Sequence, residues 1–235
     1  EENQAGDRTA GPRTLALRDA NNRYETTVLR FKNTALINTG IVQHELRTGL
    51  EFIQRDRQDA TAGSAPGGEK DVIAIYAVNE MQIGENFTLT PALRYENQTI
   101  TQDPLNGTDE FDANALMGGL SARYAFGNGW AVFGSAAYTE NLPIIDDIQN
   151  ATLINQSEKG EIYEIGVSFD QESVFTAGDT LAFKLNYYRQ DLRDLTTYRS
   201  FRPGGSITSI DRDGVELEAA YAMDNGFYVD LNAHV

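Results

Sequence analysis

The 235 residues contain no cysteine and only two histidines, and each of these two scarcities removes a class of function. Without cysteine there are no disulfides, no thiolate metal sites and no cysteine nucleophile. The two histidines, His44 and His234, are 234 − 44 = 190 positions apart, and no serine sits in a G-x-S-x-G elbow. With no nucleophile placed beside a base, the sequence reads as non-enzymatic. Cations are few as well: 19 Lys and Arg against 35 Asp and Glu leave a net charge of −16, and no basic cluster stands out along the chain. That balance argues against nucleic acid, which clustered Lys and Arg would have to neutralise. No run approaches the roughly 18 uninterrupted apolar residues of a membrane-spanning helix. Glu1-Glu2-Asn3-Gln4 has neither the basic nor the apolar region of a signal peptide. The first residue is not Met and the last three, Ala233-His234-Val235, fall inside an alternating run, so a piece of a longer protein is expected.

What the sequence does have is period two. In Val42 to Arg55 the even positions are Val42, His44, Leu46, Thr48, Leu50 and Phe52, and the odd ones include Gln43, Glu45, Arg47 and Glu51. Apolar residues also alternate with polar ones at Phe87-Leu89-Leu93-Tyr95, Tyr163-Ile165-Val167-Phe169, Leu181-Phe183-Leu185-Tyr187, Val215-Leu217-Ala219-Tyr221 and Phe227-Val229-Leu231-Ala233. Weaker runs sit at Tyr24 to Ile37, Asp71 to Gln82, Asn114 to Phe126 and Trp130 to Thr139. Alternation is the mark of half-buried strands, and about ten are expected.

The connections alternate between short and long. Asn38-Thr39-Gly40, Gly84-Glu85-Asn86, Gly127-Asn128-Gly129 and Asp224-Asn225-Gly226 are tight-turn sequences. Between them lie long polar stretches, Asp56 to Lys70, Asn97 to Ala113, Glu140 to Gly160 and Leu195 to Asp211. A barrel with short turns on one rim and long loops on the other produces this arrangement. Run lengths of about 9 to 11 residues suit a tilted strand crossing hydrocarbon. Aromatics such as Phe87, Tyr95, Tyr124, Phe126, Trp130, Tyr138, Phe169 and Tyr187 stand near run ends, as interfacial girdles do. The fold class read from this is all-β: an antiparallel transmembrane β-barrel segment of about ten strands, with short periplasmic turns and long extracellular loops. Alternation alone leaves a soluble barrel open, with its apolar faces turned inward.

Three strings narrow the choice. Glu158-Lys159-Gly160-Glu161-Ile162-Tyr163-Glu164-Ile165-Gly166 resembles the E-K-S-x-x-Y-E-L-G strand of TonB-dependent outer-membrane receptors. Tyr187-Tyr188-Arg189-Gln190-Asp191-Leu192-Arg193-Asp194-Leu195 is similar to that family's Y-F-R-N-D-I-K-D-L, and Gly214-Val215-Glu216-Leu217-Glu218-Ala219 to its G-V-E-L-E-A. Tyr138 to Pro143 and Asn150 to Leu153 stand in the places of Y-S-x-x-F-R-A-P and N-P-N-L in degraded form. The resemblance covers most of the chain. It implies the whole of residues 1–235 as part of one barrel domain, without the plug domain and the terminal strands of barrels that have about 22 strands. It further implies a bacterial outer-membrane location and TonB-energised uptake of an iron chelate, siderophore or haem-type. The implied partners are that chelate, outer-membrane lipid, and the plug and TonB through the missing N-terminal part. A passive porin is the alternative that shares strands and loops.

For the ligand, the candidates are Tyr198, Arg199, Phe201 and Arg202, which gather cations and aromatics in one long loop. Guanidinium pairing and aromatic stacking suit a flat anionic chelate. No metal site and no cofactor are expected. Asp146-Asp147 and Asp211-Arg212-Asp213-Gly214 offer hard oxygens, expected on loops, but neither has calcium-loop spacing. His44 is expected as a rim residue and His234 as a lumenal one. Glu140 to Lys159 lacks the histidine that haem receptors of the family usually carry there.

Overall fold

A computed structural model describes residues 22–59, 68–102, 110–145, 154–196 and 207–235. It holds ten strands: β1 (Asn22–Asn38), β2 (Val42–Asp59), β3 (Gly68–Ile83), β4 (Phe87–Gln102), β5 (Glu110–Ala125), β6 (Trp130–Asn141), β7 (Glu158–Glu172), β8 (Thr180–Thr196), β9 (Ile207–Ala222) and β10 (Tyr228–His234). They form one sheet in sequence order, every neighbouring pair antiparallel. No pairing joins β1 to β10, so the sheet is open. The short connections all lie on one rim. At Gly84 and Gly226 the backbone takes φ of 62° and 88°, where a side chain is strained although open space surrounds each position.

Cross-strand register fixes which residues share a face. On β3, Val72 and Ala74 are 5% and 1% exposed while Ile73 and Ile75 are 52% and 57% exposed. Ile73 and Ile75 pair with Phe52 and Leu50 of β2, and with Asn97 and Tyr95 of β4. The same face carries Tyr163, Val167, Phe183, Leu217 and Val229 farther along the sheet. The opposite face carries Glu51, Arg94, Glu164, Lys184, Glu216 and Glu218. An exposed face of Ile, Leu, Val and Phe opposite a face of ion pairs is the arrangement of a wall with lipid on one side and a wet lumen on the other.

Aromatic side chains bound the apolar face at both ends. Toward the short-turn rim, Trp130 packs against Phe169 and Phe183 with ring centroids 5.1 and 5.3 Å apart. Toward the other rim, the Tyr138 hydroxyl donates to Glu140 (2.9 Å) and the Tyr163 hydroxyl to Glu161 (3.1 Å). Each keeps an apolar ring at one level and a polar tip above it. Trp130 and Tyr138 are 138 − 130 = 8 residues apart on β6. That is about 27 Å along the strand and about 19 Å of height at a tilt near 45°, to which the outward-leaning rings add.

Two features differ from the pattern read in the sequence. Much of the long polar stretches is strand: β2 runs to Asp59 and β3 starts at Gly68, β4 runs to Gln102, and β9 starts at Ile207. Apolar alternation ends where lipid ends, but backbone pairing needs no apolar side chain and continues into water. Asp211 and Asp213, expected on a loop, consequently lie within β9, and the Tyr187 hydroxyl donates to Asp213 (3.4 Å). Register is otherwise regular. The β3–β4 ladder omits Asn79-Glu80 opposite Thr90-Pro91 and resumes in the same register, because proline has no N–H to give. A bulge between Leu192 and Leu195, with Asp194 at φ 58°, interrupts β8 against β9.

The longest short-rim connection is built around one carboxylate. Asp179, just before β8, accepts from the backbone N–H of Val174 (2.7 Å), Phe175 (3.0 Å) and Thr176 (2.8 Å) and from the Tyr221 hydroxyl of β9 (2.9 Å). Burial pushes this carboxyl up, but the hydrogen bonds from Thr176, Tyr221, Phe175 and Val174 outweigh it and hold it below the usual carboxylate range.

Candidate functional site

The lumenal face is the chemically rich one. In its middle, Glu51 accepts from Arg30 Nε (2.9 Å) on β1 and from Arg94 Nη1 (2.9 Å) on β4, and Arg94 Nη2 also donates to Glu96 (2.9 Å). Three strands, β1, β2 and β4, are thus joined by two arginines and two carboxylates. Closer to the short-turn rim, Arg47 donates to Glu45 (2.7 Å) and Glu80 (3.0 Å). On the other half of the sheet Lys184 pairs with Glu164 (3.0 Å) and lies 5.0 Å from the Phe133 ring centroid. A polar groove of about 500 Å³ between these groups is lined by Glu80, Thr88, Ser121, Arg123, Ser135 and Glu164. A ligand or a protein domain against this part of the wall meets paired, fixed charges. Among the described residues no three His, Cys, Asp or Glu stand close enough to hold a metal ion.

Toward the long-loop rim the β6–β7 connection turns into the lumen. The Pro143 carbonyl accepts from Lys70 Nζ of β3 (3.1 Å) and from Gln98 Nε2 of β4 (2.9 Å), and Gln98 is 0% exposed. Ile145 and Ile154 of the connection pack with Ile100 of β4 and Phe111 of β5, and Leu142 is buried as well. Sequence reasoning took Glu140 to Gly160 as a polar outer loop and missed this inward fold. The signal available was Leu142-Pro143-Ile144-Ile145, an apolar group in an otherwise polar stretch.

Tyr198, Arg199, Phe201 and Arg202, the expected ligand residues, lie outside the described residues, between the end of β8 and the start of β9. So do Asp146 and Asp147. His44 is on the outward face beside the short-turn rim, its ring nitrogens 3.3 Å from Thr39 Oγ1 and 3.1 Å from Asn79 Nδ2. His234 is lumenal, stacked on Tyr188 with its Nε2 2.6 Å from the hydroxyl.

An antiparallel meander with an apolar belt, aromatic girdles and an ion-paired inner face defines a transmembrane β-barrel wall. The model of one family, described as "TonB dependent receptor-like, beta-barrel", matches residues 2–234, and the chain belongs to that family. Solved structures with the same fold include the Serratia marcescens hemophore receptor HasR, in complex with its hemophore HasA and heme (16% identity, TM-score 0.74), where 91% of this chain matches 42% of that one. The ferric citrate transporter FecA is similar at 16% identity and a TM-score of 0.70, over 85% of this chain and 32% of its own. The ferric-catecholate import receptor Fiu of E. coli K12 is similar at 15% identity and 0.65, over 90% and 38%. The chain therefore spans less than half the length of each of these three receptors. No curated protein matches it in sequence.

Proposed function

We propose that this chain is barrel wall of an outer-membrane receptor that takes up an iron chelate, siderophore or haem-type, with energy supplied through TonB. The observation that carries the reading is the two-faced sheet: an apolar belt outside, and inside it a continuous ion-paired wall from Arg30 through Glu51 to Arg94 and Glu96. A wall of that kind has lipid on one side and water on the other. Family membership and the receptors of similar fold support the chelate. No bond chemistry is assigned to it.

The test is uptake of radioactive iron chelates by cells that make the full-length receptor, with and without TonB. Uptake that stops when TonB is removed supports the reading, and uptake that persists makes the protein a passive porin. The loop residues Tyr198, Arg199, Phe201 and Arg202 are proposed ligand contacts. Replacing Arg199 and Arg202 by Ala removes two charge-assisted donors, each worth roughly 1.5 to 3 kcal/mol when desolvated. Chelate binding is expected to weaken at least tenfold, and an unchanged dissociation constant would remove this loop from the site.

A further inference from the structure

The apolar belt is interrupted on three strands. Counted from the short-turn end, Trp130 and Tyr138 are the first and ninth residues of β6 and mark the two girdles. At the sixth place from that end, β5, β7, β8 and β9 carry Leu120, Val167, Leu185 and Leu217, all outward. β1 carries Asn33 there. Asn33 is the direct cross-strand partner of Thr48, the seventh residue of β2, and Asn79, fifth from the end of β3, lies on the same face opposite Leu46. Three polar side chains thus stand together at hydrocarbon depth. Asn33 is exposed and Thr48 half-buried, and neither side chain has a hydrogen-bond partner among the described residues. Asn79 Nδ2 is 3.1 Å from His44 Nδ1, but its Oδ1 has no partner in the wall. An amide or hydroxyl left unpaired in lipid is costly. The girdle is missing on the same strands. Within four residues of the short turns, β4 to β8 carry Phe87, Tyr124, Trp130, Phe169 and Phe183 outward, whereas β1 to β3 carry no aromatic residue there.

We propose that this part of the outer face is covered by a second copy of the receptor, packed about a two-fold axis in the membrane, with Asn33 and Thr48 hydrogen-bonding across it. A two-fold sets a patch against itself, so its groups must complement their own kind. An amide and a hydroxyl do so because each both donates and accepts, whereas an acyl chain can do neither. Small residues let two walls approach closely, as they do at interfaces within membranes. Ala35 and Ala77 flank the polar group on this face, beside Leu46 and Thr48 respectively. Charge does not oppose the contact. The chain carries a net −16, but Lys32, Glu45, Arg47 and Glu80 at these levels all lie on the lumenal face. The proposal depends on the lipid-facing side of the wall and is independent of what the receptor takes up.

The experiment uses the full-length receptor with single cysteines, Thr48→Cys and, as control, Leu120→Cys at the matching depth of β5. Outer membranes are treated with a membrane-permeant thiol oxidant. T48C is expected to give a disulfide-linked species of twice the receptor mass, and L120C none. Self-association is then measured by energy transfer between labelled copies in liposomes, as the ratio of receptor to lipid is varied. Valine keeps the shape of threonine and removes only the hydroxyl, so T48V is expected to weaken association about threefold. Adding Asn33→Leu should bring the loss to about tenfold. Heat-modifiable gel mobility shows that each variant is folded, and T48V stands alone should N33L disturb β1. Equal linking of T48C and L120C marks random collision and overturns the proposal. So does the absence of a linked species, linkage of T48C to a different polypeptide in place of its own copy, or association that T48V leaves unchanged.

Discussion

Glycine 166, in the string Tyr163-Glu164-Ile165-Gly166, is the described glycine at which an added Cβ would come nearest to a backbone atom. A Cβ at this position would lie 2.4 Å from Phe133 Cζ, 2.6 Å from the Leu185 carbonyl oxygen and 2.9 Å from Asn186 Cβ. Phe133 is its direct partner on β6, and the ring lies across the glycine where no side chain competes for space. Gly49 repeats the arrangement on β2 beneath Tyr76, but there the three nearest atoms all belong to the far end of the Tyr76 ring. The two sites therefore predict different costs for the same added methyl. At Gly49 the ring swings into the lumen and G49A is expected to cost less than about 1 kcal/mol. At Gly166 a backbone carbonyl blocks the methyl, strands β7 and β8 must separate, and G166A falls in the overpacking range of about 1 to 3 kcal/mol. The assay is urea unfolding of the full-length receptor in detergent, followed by the folded gel band, with equal slopes required before midpoints are compared. Double variants sharpen it: Y76A should abolish the cost of G49A, whereas F133A should relieve G166A only in part because the Leu185 oxygen remains. If G49A is as damaging as G166A, or if F133A rescues G166A fully, the contact analysis of this wall is wrong.

Three other outcomes are expected. Single cysteines at Glu164, Lys184, Glu216 and Glu218 should react with a water-soluble thiol reagent in the intact receptor, while cysteines at Tyr163, Val167, Phe183 and Leu217 should be spared; the reverse pattern would make this a soluble barrel with its apolar face inside. Asp179 has a depressed pKa, so its contribution is present above the unfolded carboxyl value near 4 and is lost as pH falls through the lower folded value. D179N should lower stability at neutral pH and flatten its fall on the acid side, which unfolding midpoints at several pH values will show. The isolated 235-residue chain, refolded in detergent, should aggregate and not give a monodisperse heat-modifiable monomer, because β1 and β10 do not pair and leave unsatisfied backbone edges. A heat-modifiable monomer would mean that ten strands close on themselves.

Period-two alternation by itself determined the strands, their two faces and their antiparallel order. Side chains on successive residues must point to opposite sides of a sheet, and tight turns leave a consecutive strand only one neighbour to join. Leu50, Phe52, Tyr163 and Val167 were legible as one face from their spacing alone, and Gly84 and Asn225-Gly226 as turns from the backbone they require. Where strands end was not legible: Asp56 to Asp59 and Gly68 to Lys70 carry no apolar pattern, and pair because their backbones continue a ladder already formed. Only the tertiary structure brought Arg55 beside Lys70, laid Phe133 over Gly166 and turned Pro143 inward onto Gln98. Each of those contacts joins residues far apart in sequence through the register of neighbouring strands or the path of a connection. Local pattern encodes which face a residue occupies, whereas the partner it meets there is set by register and by how the chain returns.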